Sequence, residues 1–176
     1  MIRFKKIKWK NFLSTGDQWT EVKLNDDGTT LIVGANGAGK STVLDAICFV
    51  LFNKPYRKIT KSQLVNTTNE KGTETEIEFE IGSKQYLVRR GIKPNIFDIE
   101  IDGNMRNKEA DDRVNQKVLE EQILKLNFKS FTQIVILGSS NFIPFMQLNG
   151  PNRREVIEDL LDIKIFSAMN NIVRDK

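Results

Sequence analysis

The octapeptide Gly34-Ala35-Asn36-Gly37-Ala38-Gly39-Lys40-Ser41 constrains this chain more than any other feature. It satisfies G-x-x-x-x-G-K-[ST] at every fixed position. A triphosphate needs several donors converging on it at once. A loop poor in Cβ atoms wraps around it and aims backbone N–H groups inward. Gly37 and Gly39 permit that wrap. The helix that follows brings unpaired N–H groups and the positive end of its dipole against the phosphates. Lys40 offers a mobile charge for the β- and γ-phosphates, and the Ser41 hydroxyl is suited to ligate Mg²⁺. The flanks fit this reading: Thr29 to Val33 (TTLIV) is expected to form a short apolar strand, and Ser41 to Phe52 (STVLDAICFVLF) a buried helix. The candidate ATP-binding residues are Gly34, Ala35, Asn36, Gly37, Ala38, Gly39, Lys40, Ser41 and Thr42, with Lys40 the catalytic candidate and Ser41 the Mg²⁺ ligand.

What is absent narrows the chemistry further. The 176 residues contain no histidine, which removes Ser-His and Cys-His nucleophilic pairs, imidazole proton shuttles and the usual zinc sites. The single cysteine, Cys48, excludes an internal disulfide and reads as core filling on the buried helix. Chemistry here is left to carboxylates, lysine, hydroxyls, backbone amides and magnesium. No apolar run approaches the roughly 20 residues that span a bilayer, so a cytoplasmic protein without a membrane partner is expected. The net charge of +4 is compatible with nucleic acid without establishing it.

Around the motif the pattern alternates between strand and helix. Ile2 to Trp9 reads as a strand whose apolar phase slips near Lys5-Lys6, which predicts a bulge. Trp19 to Leu24 is a second, weaker strand. Thr73 to Ile81 (TETEIEFEI) alternates cleanly, with Thr75, Ile77, Phe79 and Ile81 on one face and Glu74, Glu76, Glu78 and Glu80 on the other. Gly82-Ser83 turns the chain into Lys84 to Arg90, a hairpin that sets Lys84, Arg89 and Arg90 across from the glutamates. Ile96 to Ile101 is a further strand. Arg113 to Leu126 has helical apolar spacing, Phe131 to Leu137 is apolar without a clear period, and Asn141 to Gly150 is a Phe-rich loop. Asn152 with Glu155 predicts a capping box for RREVIEDLL. An amphipathic helix is expected from Ile163 onward. The fold class is therefore α/β.

The residues around the loop carry a resemblance. LIVGANGAGKSTVLDAICFVLF, with Asn36 and Asp45-Ala46-Ile47, resembles the structural-maintenance-of-chromosomes superfamily of ABC ATPases. KNFLSTGDQW, at Lys10 to Trp19, is similar to that family's opening segment, which passes close to the nucleotide and adds Ser14 as a candidate contact. SQLVNTTNEKGTETEIEFEIGSKQYLVRR resembles its hairpin region. FTQIVILGSSNFIPFMQLNGPNRREVIEDLLDIKIF resembles the stretch before the coiled coil in SbcC-type subunits, including the large subunits of phage recombination endonucleases. In that family a Gln-Gly pair precedes the F-x-x-F segment, and the Gln touches magnesium and the attacking water. Aligning Phe142 and Phe145 puts Ser139 and Ser140 there, with Gln133 six residues earlier, so either Ser139 takes that role through a water, as the candidate second magnesium ligand, or magnesium is held differently here.

The resemblance implies a P-loop ABC-type ATPase head: residues 1–162 as its N-terminal lobe, with an antiparallel hairpin region, and 163–176 as the start of a coiled-coil helix. It implies ATP and Mg²⁺ as cofactors. The implied partners are the C-terminal lobe of the same protein, a second copy of the head in an ATP-dependent dimer, an SbcD-type nuclease subunit, and DNA. It places the work in double-strand-break repair or recombination, in the host cytoplasm for a phage protein. Lys54, Arg57, Lys58 and Lys61 form the basic run that is the candidate DNA contact, together with the basic N-terminal strand; against it, Lys5, Lys6 and Lys8 read as the solvated face of an edge strand, and the glutamate row opposes DNA on that surface. No run of four apolar residues before Asp-Glu, no ABC signature and no switch histidine occur, and in the family these lie beyond the coiled coil. Residues 1–176 are thus expected to hydrolyse little alone. Two other readings stay open: a self-contained P-loop kinase, for which Arg153-Arg154 is the candidate lid, and a tethering module whose ATP site is structural. Nucleoside phosphorylation would mark the first, and indifference to Lys40→Ala the second.

Overall fold

The computed structural model describes residues 2–25, 28–106, 111–136, 143–161 and 163–174. They form two compact units, Met1–Asn115 and Gln116–Lys176. The first is built on one antiparallel sheet of β1 (Ile2–Lys10), β2 (Thr20–Lys23), β3 (Thr73–Ile81), β4 (Lys84–Ile92), β5 (Ile96–Ile101) and β6 (Asn104–Met105), in the order β2-β1-β3-β4-β5-β6. The register of β1 against β3 shifts between Phe4 and Lys6, where the apolar phase slips in the sequence. β3 and β4 form the expected hairpin. The helix α1 (Thr42–Phe52) packs against β1, β3 and β4. It is buried nearly all round, and Ala46, Cys48, Phe49, Val50 and Leu51 are sealed from solvent. The apolar face of the sheet contributes Ile7, Ile77, Phe79 and Val88 to the core. Phe12, just past β1, sets its ring 5.8 Å from that of Phe49. Phe79 is stacked on Tyr86 at 5.2 Å.

The other face of the sheet carries a charge ladder. Lys6 pairs with Glu78 at 2.8 Å, Lys8 with Glu76 at 2.7 Å, Lys10 with Glu74 at 3.0 Å and Lys5 with Glu80 at 2.8 Å. β1 is therefore an interior strand between β2 and β3, not an edge, and its lysines are matched to the glutamate row. Of the hairpin cations, Arg89 reaches Glu74 at 2.6 Å. Arg90 lies on the opposite face, buried, donating from Nε to Val50 O at 3.0 Å and lying 3.7 Å over the Phe97 ring.

Thr29 to Val33 differs from its expectation. The segment is irregular and pairs with no described strand, and Leu31 and Val33 are 82% and 78% exposed. Apolar composition alone does not make a strand; the backbone donors and acceptors need a neighbour, and the antiparallel sheet supplies none for these residues.

In the second unit, the helical spacing after Arg113 becomes α2 (Asp112–Lys117), which begins in the first unit, followed by a π-helical stretch, Val118–Leu124. The apolar run near Phe131 is α3 (Phe128–Ile134), capped by Asn127, whose side chain accepts from Ser130 N–H. α4 (Gly150–Leu160) starts three residues earlier than expected. Asn149 is its cap, accepting from Asn152 N–H at 3.0 Å, and Pro151 with its fixed φ occupies the first turn. Asn152 and Glu155 are thereby freed from capping: both accept from Lys129, and Glu155 also accepts from Asn127 at 2.9 Å. α5 (Lys164–Arg174) follows, with Ile165, Phe166, Met169, Ile172 and Val173 exposed.

Candidate nucleotide-binding site

The phosphate loop emerges from the irregular 29–33 segment and runs straight into α1. Gly37 and Gly39 both sit at φ +86°, which side-chain-bearing residues rarely adopt, so the wrap is built on the two glycines that the motif supplies. Lys40 folds back over its own loop, donating to Gly34 O at 2.6 Å and Ala35 O at 2.8 Å. Ser41 stands at the N-cap of α1, and Thr42 N–H closes the turn onto Gly39 O at 2.9 Å.

A cavity of about 590 Å³ opens beside this loop. Asn36, Gly37, Gly39, Lys40, Ser41 and Thr42 form one wall. Leu13 and Ser14, from the turn after β1, and Gln63, Val65 and Thr67, from the stretch before β3, form the rest together with Arg57. Gly34 and Ala35 accept from Lys40, and Ala38 turns the loop through an N–H bond to Ala35 O at 3.2 Å. Ser14, singled out by resemblance, is thus brought to the same cavity as the motif. Ser139 and Phe142 lie outside the described residues.

The basic run is dispersed. Arg57 is on the cavity wall, held by the fully buried Asp45, whose carboxylate accepts from the Arg57 backbone N–H at 3.0 Å and from Nε at 2.6 Å. Lys61 is half-buried, with its ammonium 5.8 Å from the Phe49 ring; burial first and the Arg90 charge second push its pKa down. Lys54 and Lys58 are exposed. Cys48 is buried, and burial pushes its thiol pKa up, away from reactivity. Trp9 is buried, whereas Trp19 is 40% exposed under the ammoniums of Lys8 and Lys10, each 5.0 Å from its ring.

The sequence reading missed Gln63, Val65 and Thr67, which carry no motif. Arg57 on the cavity had only a partial signal: a buried carboxylate on an otherwise apolar helix requires a partner, but the sequence does not say which cation supplies it.

The arrangement offers backbone donors at a helix start, two cations and a hydroxyl around a space sized for a nucleotide. Comparison with known proteins gives the family and the fold. The family described as AAA domain matches residues 6–173. Exonuclease subunit 2 of Enterobacteria phage T4 is 40% identical over 170 residues, covering 97% of this chain and 30% of the relative. The SbcC protein of the SbcCD nuclease from Clostridium acetobutylicum is 30% identical over 176 residues, covering 92% of this chain and 15% of the relative. The chain therefore spans less than a third of the length of these curated relatives. Among solved structures, the Smc head domain with an extended coiled coil, bound to the C-terminal domain of ScpA, from Pyrococcus furiosus has a TM-score of 0.62 at 22% identity, covering 99% of this chain and 46% of that one. No helix among the described residues is long and apolar enough to cross a membrane. The chain belongs to the AAA domain family and has the α/β fold of the N-terminal lobe of an SMC-type ATPase head.

Proposed function

We propose that this chain is the ATP-binding lobe of a DNA double-strand-break repair or recombination ATPase. The observation that carries the reading is the cavity in which Gly37, Gly39, Lys40 and Ser41 converge with Ser14 and Arg57. Backbone N–H groups of the loop hold phosphate oxygens, Lys40 exchanges its two carbonyl partners for the β- and γ-phosphates, and Arg57 adds a second cation. Among the described residues no group of three or more carboxylate or thiol side chains gathers to hold a metal. Bound Mg²⁺ would be held by the Ser41 hydroxyl, with Ser139 as the proposed second protein ligand. The ion would supply charge neutralisation for the transferred phosphoryl group.

Hydrolysis needs a carboxylate and a signature segment, which a C-terminal lobe of the same protein and a second head supply. The exposed Leu31, Ile32 and Val33 beside the phosphate loop support a lobe that adds strands there. The exposed apolar positions of α5 support a coiled coil from residue 163. An SbcD-type nuclease subunit and DNA complete the assembly, with the exposed Lys54 and Lys58 as the proposed phosphate contacts. ATP closing the head dimer then controls the nuclease through a population shift.

Calorimetric titration of Mg·ATP tests the site. Lys40→Ala is expected to weaken binding by about tenfold or more, the scale of one charge-assisted contact. Equal affinity in the variant would remove ATP from this cavity.

A further inference from the structure

Two segments of the first unit meet along one seam. Phe12 pairs with Val65 in an isolated antiparallel bridge. Leu13 N–H donates to Leu64 O at 2.7 Å, and Asn66 N–H donates to Asn11 O at 3.0 Å. Asn66 is buried and uses its whole carboxamide. Nδ2 donates to Leu13 O at 3.1 Å and to Thr15 O at 3.0 Å, the two carbonyls flanking Ser14. Oδ1 accepts from the N–H groups of Thr68 and Asn69, each at 2.9 Å. Asn69 in turn donates to Asn11 Oδ1 at 2.6 Å, and Asn11 donates to Asp17 at 2.7 Å.

The segment so held is one that needs holding. Asn11 and Leu13 have φ of +48° and +55°, and a leucine adopts that region only when its surroundings impose it. The residues on either side of the clamp face the cavity: Leu13 and Ser14 on one segment, Val65 and Thr67 on the other. Their chemistry differs from that of the phosphate loop. Two aliphatic side chains with two hydroxyls suit the sugar and base of a nucleotide, while the cations and loop amides suit its phosphates.

We infer that Asn66 is a positioning residue for the nucleoside end of the nucleotide. Its carboxamide fixes Ser14 and Leu13 against Val65 and Thr67, so the nucleoside meets a preformed wall. Asparagine is fitted to this place because it gives two donors and two acceptors from one short side chain. Aspartate keeps the two N–H acceptances but turns an oxygen toward two carbonyls.

The inference rests on the cavity being an ATP site, and the test separates the two. Affinities for Mg·ATP and for magnesium inorganic triphosphate are measured calorimetrically on this chain, with Asn66→Asp, Asn66→Ser and Lys40→Ala. Serine is the gentler change, keeping an acceptor for Thr68 and Asn69 while withdrawing from both carbonyls. The Asn66 variants are expected to lose about tenfold in ATP affinity, two hydrogen bonds' worth of order, and nothing in triphosphate affinity. Lys40→Ala loses both ligands. Folded Asn66 variants that keep ATP affinity, or lose both ligands equally, overturn the positioning role, and so does failure of both variants to fold. A parent chain that binds neither ligand overturns the ATP site itself, and the inference with it.

Discussion

At the scale of single residues, Arg57 and Lys58 are neighbours in sequence with different surroundings. Arg57 is tied to Asp45 on the cavity wall, while Lys58 is exposed on the loop. Arg57→Ala is therefore expected to weaken Mg·ATP binding about tenfold and to leave the salt dependence of DNA binding unchanged. Lys58→Ala is expected to do the reverse, lowering the slope of log affinity against log salt by about 1 for one phosphate contact. The pair is checked by nucleotide titration and by DNA binding across a salt series in the assembled complex; a slope that moves with Arg57 would place it on DNA instead. The sequence made the basic run visible but not its division, because which cation turns inward depends on Asp45, one helix away. The phosphate loop was legible throughout, since its chemistry is local and each letter answers to a backbone or phosphate requirement. The Asn66 clamp was not legible, because nothing local marks an asparagine that bonds carbonyls more than fifty residues distant.

At the scale of elements, the β1–β3 ladder is a row of cross-strand ion pairs with a testable pH signature. Hydrogen bonding from Lys5 holds the Glu80 carboxyl below its ordinary 4.5. Burial pushes Glu74 up, but hydrogen bonds from Arg89 and Lys10 win, and its pKa also lies below 4.5. For both, the folded value is the lower one. Their stabilisation is therefore present above pH 4.5 and is lost as pH falls through the folded values. Lys6 has the opposite sign: its hydrogen bond to Glu78 raises it above 10.5, so its stabilisation is present below that pH and is lost as pH rises through the folded value. Urea midpoints are expected to fall in both limbs, and Glu74→Gln should flatten the acid limb more than substitution of a single exposed partner. A midpoint indifferent to pH below 4.5 would show that the ladder contributes nothing. The alternation of β3 was readable because it has one clean period. Its partner was not: the sequence points the glutamates at the following hairpin strand, whereas the fold brings all four to lysines of β1, and Arg89 of the hairpin reaches Glu74 alone. Cross-strand pairing joins residues about seventy positions apart, and no local pattern encodes which neighbour a strand takes.

At the scale of the molecule, the segment Thr29–Val33 has the widest consequence. Its composition is that of a buried strand, yet Leu31 and Val33 are mostly in solvent and Ile32 is half so. Burying an aliphatic side chain of this size is worth about 1.5–3 kcal/mol, so three in a row form a strong driving force for a strand to be laid beside them. The segment leads directly into Gly34, so a partner strand that orders it also orders the start of the phosphate loop. Supplying the proposed C-terminal lobe in trans should accordingly do two things together. Amides of residues 29–33 should gain protection from hydrogen exchange. Steady-state ATP hydrolysis, expected to be near zero for this chain alone, should rise. Leu31→Asp should lose both gains while leaving ATP binding by the isolated chain intact, since Leu31 does not line the cavity. Lys40→Ala should lose hydrolysis but keep the protection, because it disables the phosphates' contact and not the docking edge. Full hydrolysis by the isolated chain would sink the shared-site reading, for it would require a catalytic carboxylate within these residues. Protection without hydrolysis would instead mean that the lobe docks as proposed and that the second head is what completes the site.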